Sequence, residues 1–479
     1  MRPLEALLLF VSLATLLALS VSSLRTARAT RLLPFAVLLA TAAQVLLEGA
    51  RWQMAPAYVV SVALFLIPLL RSAKEAGDDS AQRPLRRLGR RVFVALGAAA
   101  FAFSCLLPIT FPVFRFPHPT GPYEIGTMTY HWVDPARPEI FTADPNDRRE
   151  LMVQVWYPAR SNASASRAPY LQDGAVLAPL ARLLHLPGFI FTHLKYDMTN
   201  AMPAAPVADG AGAYPVLIFS HGRGGVRQHN TFQVEALVSH GYIVAAIDHP
   251  YAAAGVDFPD GRRASFDTRM MDRRFQDRVI PFLAQDVGFT LDQLAAINRS
   301  DPNGILTGRL DLQRAGIFGV SLGGAVTAQA CLRDPRLRAC LPMDVYMPAD
   351  VVREGLRQPT MWISRDAATM QREGWMRADI DETQTTMRTV FENLPGDGYL
   401  VLVPGMFHQN FSDFPYFVIS PLDAWLGLDG PIDARRAHAI IDAYSLAFFD
   451  RHLKGAAAQP PLDRPARQYP DVLFEARRP

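Results

Sequence analysis

The sequence predicts an α/β protein, a doubly wound and mostly parallel sheet covered by helices, preceded by an α-helical transmembrane region of four spans. Three observations lead there. From residue 116 onward, short β-rich runs that are apolar on both faces alternate with longer helical patterns; four apolar stretches crowd the first 115 residues; and a Gly-x-Ser-x-Gly turn stands between one such strand and one such helix. Half of the 479 residues are apolar, which excludes a disordered chain and a disulfide-stapled miniprotein.

The N-terminal region comes first. Its apolar stretches lie near 4–24, 32–48, 55–70 and 92–114, the first and last approaching the ~20 residues that cross hydrocarbon. The middle two are shorter and read as a hairpin of spans turning at Glu48 to Pro56, with Trp52 as an interfacial anchor, or as buried or re-entrant helices. The first stretch is too long for a signal peptide and has Arg2 offset by Glu5 before it. Arg25, Arg28 and Arg31 crowd the first loop, and Arg71, Lys74, Arg83, Arg86, Arg87, Arg90 and Arg91 the third. Positive loops stay in the cytoplasm, so a multi-pass membrane protein with residues 116–479 on the outer, non-cytoplasmic face is expected. Residues 1–115 hold 13 of the 48 cations and 5 of the 45 acids, leaving about −5 on the remainder. A body of that charge lacks the basic face that nucleic acid requires.

A Pro-rich neck, Phe116 to Tyr123, marks the domain boundary, giving a transmembrane helical region over 1–115 and a catalytic domain over 116–479. Strands are expected at Leu151 to Tyr157, Pro215 to Ser220, Tyr242 to Ile247, Ala315 to Val320, Ala339 to Met343, Thr360 to Ser364 and Tyr399 to Val403. Cys105, Cys331 and Cys340 are too few for a disulfide framework and lack metal-site spacing; Cys331 and Cys340 are either a pair or two buried thiols.

Gly319-Val320-Ser321-Leu322-Gly323, between an apolar strand and the helical pattern from Ala325, has the context of a nucleophile elbow. A serine hydroxyl is a weak nucleophile and needs a base, an acid to orient it and donors for the oxyanion. After the strand at Val216 to Phe219 runs Ser220-His221-Gly222-Arg223-Gly224-Gly225, a His-Gly loop. The backbone N–H groups of Arg223 and Leu322 are the expected oxyanion hole, with His221 holding the loop. In the α/β-hydrolase chain order the base comes last, and His408 follows the final strand and the break at Pro404-Gly405. His438 and His452 sit on a C-terminal helical pattern and read as surface or packing residues. For the acid, Asp344 and Asp366 each follow a strand, and the pattern leaves both open; Asp248 precedes the serine and reads as a loop stabiliser.

Together these residues resemble the plasma-type platelet-activating factor acetylhydrolases, lipase-like α/β-hydrolases that cleave short or oxidised acyl chains from phospholipids. The resemblance spans roughly 119–455: Thr120 to Tyr123, Tyr157-Pro158, the Phe219 to Gly225 loop, the elbow, His408-Gln409-Asn410-Phe411-Ser412-Asp413-Phe414 and the helix Ala443 to Phe449. It implies Asp344, in Met343-Asp344-Val345-Tyr346, as the acid. It also implies that the apolar segment Gly174 to Phe191 is a helix touching lipid, which the residues alone read equally as a core or cap helix. The sequence departs from the family in its four N-terminal spans and in Arg223, which replaces an apolar residue.

The resulting expectation is a membrane-anchored serine esterase. Ser321, His408 and Asp344 form its triad, its substrate is a small-molecule or lipid ester, and it needs neither metal nor organic cofactor. Other readings are a general carboxylesterase, a polyester hydrolase, a dienelactone-hydrolase-like enzyme, or a membrane scaffold with a hydrolase fold that has lost turnover.

Overall fold

The computed structural model describes residues 1–21, 32–74, 83–161, 165–171, 176–183, 185–209, 212–418, 429–457, 460–463 and 467–478, the side chains of 67–91 and 93 aside. Arg25, Arg28, Arg31 and the cationic side chains of the third loop lie outside that set. Two compact units are present, a smaller one built on Met1–Phe114 and a larger one built on Arg115–Tyr416 and the C-terminal residues.

The smaller unit holds four helices, α1 (Pro3–Ser20), α2 (Leu33–Leu47), α3 (Ala55–Lys74) and α4 (Arg83–Thr110). Among the described residues α1 alone is long and apolar enough to cross a membrane, with a mean hydropathy of 2.0; the other apolar stretches, Leu33–Leu47, Trp52–Leu66 and Val94–Thr110, are shorter. Trp52–Met54 forms a 3-10 helix and Trp52 packs 5.3 Å from Phe111, while Arg51 is buried and pairs with Glu5 at 2.6 Å. A charge taken out of water needs an opposite charge and full hydrogen bonding, and the Phe111 carbonyl accepts from the same guanidinium at 2.7 Å.

The larger unit is an α/β sheet of strands β1 (Glu124–Pro138), β2 (Arg148–Ala159), β3 (Ala201–Pro203), β4 (Tyr214–Ser220), β5 (Ile243–Asp248), β8 (Leu310–Val320), β9 (Leu337–Met343), β10 (Thr360–Ser364), β11 (Gly398–Leu402) and β12 (Leu473–Arg477); β6 (Gly255–Asp257) and β7 (Arg263–Ser265) form a separate ribbon. The order is β12-β11-β10-β9-β8-β4-β5-β2-β1-β3. The six strands from β11 to β5 are parallel, as their apolar faces require: Val216, Leu217, Ile218 and Phe219 of β4 are all fully buried. Flanking helices include α5 (Leu177–Leu183), α6 (Thr231–Ser239), α7 (Arg273–Arg299), α8 (Leu322–Arg333), α9 (Ala349–Glu354), α10 (Ala367–Glu373), α11 (Arg377–Glu392) and α12 (Ala434–Lys454). The sequence reading did not isolate β1, β3 or β12. These are edge strands or pair antiparallel, and they mix polar with apolar positions because one face meets water.

Chain order reverses between β4 and β8: the chain first builds outward through β5, then returns to place β8 on the other side of β4 and continues to β11. The carboxyl ends of these two neighbours are therefore a topological switch point, where open α/β sheets place their ligands.

The segment from Gly174 to Phe191 is not one helix. Residues 172–175 and Leu184 lie outside the described set; α5 is short, His185 takes a φ of 57°, and Pro187-Gly188 prevents the helix from resuming. Leu177 and Phe191 turn inward at 2% and 1% exposure, while Leu186 and Phe189 stand out. Cys331 and Cys340 are both free buried thiols.

Candidate active site

The residue after β8 is Ser321, held at φ 56° and ψ −127° before α8 begins. Such a backbone is strained by ~1–3 kcal/mol for a residue with a Cβ and persists only where its surroundings impose it. Here the Ser321 N–H donates to the Met343 carbonyl at 2.9 Å, tying the turn to the end of β9. The glycines are required by space. A Cβ at Gly319 would meet the Gly323 carbonyl, and one at Gly323 would collide with the carbonyls of Ser220 and His221. The elbow thus presses directly on the loop that follows β4.

That loop runs past Ser321, since a Cβ at Gly222 would sit 3.3 Å from the Ser321 Cβ. His221 is fully buried; its Nδ1 bonds the Gly222 carbonyl at 2.7 Å and its Nε2 accepts the His249 N–H at 3.1 Å. The Gly222 carbonyl also accepts the Gly225 N–H at 2.9 Å. In a planar trans peptide the carbonyl and the following N–H point opposite ways, so the Arg223 N–H faces away from these partners. Leu322, as the first residue of α8, has an N–H with no acceptor inside the helix. The Arg223 side chain reaches the Gln276 Oε1 at 3.3 Å. Asp248 accepts from the Arg227 N–H at 2.6 Å and from its guanidinium, fixing the far end of the loop.

Asp344 follows β9 and His408 follows β11, and the two meet: His408 Nδ1 lies 2.5 Å from Asp344 Oδ2. The other carboxylate oxygen accepts from Arg365 Nε at 2.9 Å and from the Ser364 hydroxyl at 3.2 Å. Burial by itself would raise the Asp344 carboxyl, but the Arg365 guanidinium and the His408 ring hold it well below the usual carboxylate range, so it stays ionised. Arg365 pairs in turn with Glu373, and Glu373 accepts the His408 backbone N–H at 3.0 Å. The ring's position is therefore set from both its side chain and its main chain. Asp366 is elsewhere, capping α10 by accepting the Thr369 N–H at 2.9 Å. His438 stacks on Phe232 at 3.8 Å and bonds the Ser412 carbonyl, and His452 packs against Tyr399, so both are packing residues.

Sequence reasoning missed four contributors. Arg365, Glu373 and Trp375, whose ring lies 5.6 Å from that of His408, surround the Asp344–His408 pair; a lone arginine directly after an apolar strand was the available signal for Arg365. His229 carries no motif, yet it lies beside Gly222 and Gly225 and close enough to His408 to feel its charge.

Burial, then the neighbouring His249 charge, pushes His221 down to about 3; burial, then His408, pushes His229 down to about 4. Both rings are neutral in the folded protein at pH 5, whereas an unfolded histidine binds a proton below about 6.5. The unfolded state then holds more protons, so stability is full above pH 6.5 and is lost as the pH falls toward 4. Thermal unfolding midpoints are expected to drop steadily over that interval, and a flat profile there would contradict the buried neutral pair.

Known proteins resemble this chain in sequence and in fold. The sequence profile of the family "Platelet-activating factor acetylhydrolase, isoform II" matches residues 109–262 and 296–459. A platelet-activating factor acetylhydrolase of Cavia porcellus is 25% identical over 377 residues, covering 73% of this chain and 80% of that protein. The protein of the same name from Gallus gallus is 20% identical over 405 residues, covering 76% of this chain and 90% of its own. Among solved structures, a ferulic acid esterase from Streptomyces cinnamoneus superposes with a TM-score of 0.62 at 30% identity, covering 76% of this chain and 99% of its own. With an α/β-hydrolase sheet, a strained serine at its switch point and a family match over more than half its length, this chain is an ester hydrolase and belongs to the platelet-activating factor acetylhydrolase, isoform II, family.

Proposed function

We propose that the protein hydrolyses phospholipids bearing short or oxidised sn-2 acyl chains, through an acyl-enzyme on Ser321. His408 takes the Ser321 proton as Oγ bonds to the ester carbonyl carbon, then gives it to the departing alcohol oxygen. Water repeats the sequence on the acyl-enzyme, releasing the acid and restoring the hydroxyl. Asp344 holds the histidine with its proton on Nδ1, leaving Nε2 free to accept. The N–H groups of Arg223 and Leu322 stabilise the negative oxygen, each such donor being worth ~3 kcal/mol in the transition state. The observation that carries this reading is the 2.5 Å contact of His408 with an Asp344 that Arg365 keeps ionised. The family's name supplies acetyl hydrolysis of platelet-activating factor, and the motif resemblance extends it to short or oxidised chains.

The region over 1–115 serves in this reading as a four-span anchor, with the hydrolase over 116–479 on the outer face. Its inside-out pattern supports contact with lipid, the outer-face placement resting on the cationic loops: Phe10, Leu39 and Leu46 are 70%, 72% and 82% exposed while Glu5 and Arg51 are buried against one another. Such a surface suits lipid and not water.

The ferulic acid esterase likeness favours a second reading, a broader carboxylic ester hydrolase. One assay separates the two. The full chain in detergent is given phospholipids with sn-2 chains from acetyl to palmitoyl, beside p-nitrophenyl acetate and methyl ferulate. Turnover that falls with sn-2 length and exceeds that of the simple esters is expected; turnover of the simple esters alone would replace the phospholipid reading with the broader one.

A further inference from the structure

Beneath the loop after β4 lies a second serine–histidine–aspartate set. His249 Nδ1 is 2.8 Å from Asp286 Oδ2 on α7, and its Nε2 is 2.8 Å from the hydroxyl of Ser220, the last residue of β4. Asp286 also accepts from Arg149, on β2, at 2.7 and 3.1 Å and from Arg137 at 2.9 Å; Arg149 bonds Glu139 and the Pro250 carbonyl as well. Ser220, His249, Asp286 and Arg149 are all buried, at 1% exposure or less. No ester carbonyl reaches Ser220, so this set is not a second nucleophile.

Its connections run to the first one. Asp286 accepts from His249 Nδ1, and the Ser220 hydroxyl holds the other side of the ring at Nε2. The ring thereby fixes the backbone of residue 249, whose N–H is the donor to His221 Nε2 and whose carbonyl accepts from Ala252 and Ala253 at 3.1 and 2.8 Å. With Nε2 accepting, His221 carries its proton on Nδ1 and donates it to the Gly222 carbonyl. That carbonyl sets the plane of the next peptide. Ala252 and Gly225 add the remaining ties, Gly224 N–H to the Ala252 carbonyl at 2.8 Å and Ala254 N–H to that of Gly225 at 2.9 Å.

We propose that the buried Ser220–His249–Asp286–Arg149 network aims the Arg223 N–H into the oxyanion hole, with Ser220, His249 and Asp286 as positioning residues acting through His221. This rests on the assignment of Arg223 as an oxyanion donor above. The arrangement has a physical advantage: an N–H held in place by buried ionic hydrogen bonds does not reorganise as charge develops, which is the source of oxyanion-hole catalysis.

The test uses the full chain in detergent with Ser220→Ala, Ser220→Thr and His249→Phe, each checked by thermal unfolding. Removing an oxyanion donor outright lowers kcat by about 10²–10³-fold, and a misaimed one is expected to lower it by about 10-fold in Ser220→Ala and more in His249→Phe. KM stays near the parent value, and Ser220→Thr, which keeps the hydroxyl, restores kcat. Affinity for a trifluoromethyl ketone, which forms a tetrahedral oxyanion on the serine, falls in proportion to kcat/KM, while affinity for the corresponding non-reacting amide is unchanged. A folded Ser220→Ala with parent kcat and parent ketone affinity overturns the proposal, whether or not His249→Phe folds. Absence of turnover in the parent protein would instead count against the esterase mechanism itself.

Discussion

Ser321→Ala is expected to lower kcat by roughly 10⁶-fold, the loss typical when a serine hydrolase keeps its binding site and loses its nucleophile. The substitution keeps the Cβ, so the backbone at φ 56° and the bond from residue 321 to the Met343 carbonyl remain, and the thermal midpoint should stay at the parent value. Turnover of a short-chain ester, with fluorophosphonate labelling alongside, measures it. Retained turnover or labelling in the variant would mean that another residue is the nucleophile. Equal inertness of variant and parent would instead support a scaffold that has lost its chemistry.

Asp344→Asn carries the second large effect, a fall in kcat of about 10⁴-fold. The direction follows from the neighbours. Arg365 and Ser364 donate to one side of the Asp344 carboxylate, so an asparagine must turn its carbonyl oxygen to them and its NH₂ to His408. Facing a donor, His408 Nδ1 becomes an acceptor, the ring proton moves to Nε2, and the nitrogen that should take the Ser321 proton is no longer basic. Asp366→Asn is the control: it touches only the cap of α10, is worth about 1 kcal/mol of stability at most, and leaves kcat at the parent value. A larger kcat loss in Asp366→Asn than in Asp344→Asn would exchange the two assignments.

The comparison of those two aspartates shows how far the residues could be read in advance. Both follow strands of the same parallel sheet, one strand apart, and strand ends look alike in sequence. What separates them is which carboxylate the chain between β11 and α12 swings its histidine toward, a matter of sheet order and loop path. The elbow was legible because its constraint is local: a tight turn from strand to helix admits no side chain at Gly319 or Gly323, and the sequence must display that directly. The apolar segment ending at Phe191 misled for the opposite reason. Its leucines have helical spacing, but spacing does not tell a helix from a short helix followed by turns, and Pro187-Gly188 decided the matter.

By itself the sequence determined the fold class, the central parallel strands, the strand-turn-helix around Ser321 and the ester-hydrolase family. These depend on periodicity and on motifs whose members are close in the chain. Tertiary structure showed that Asp344, which the family resemblance had implied, meets His408, and it alone decided that Arg365 and Glu373 hold that pair and that Ser220, His249 and Asp286 assemble beneath the loop after β4. Their members come from strands and helices far apart in the chain, and each was an ordinary polar residue until burial brought it into a hydrogen-bonded network. Desolvation makes such contacts obligatory, and only the packed sheet brings it about.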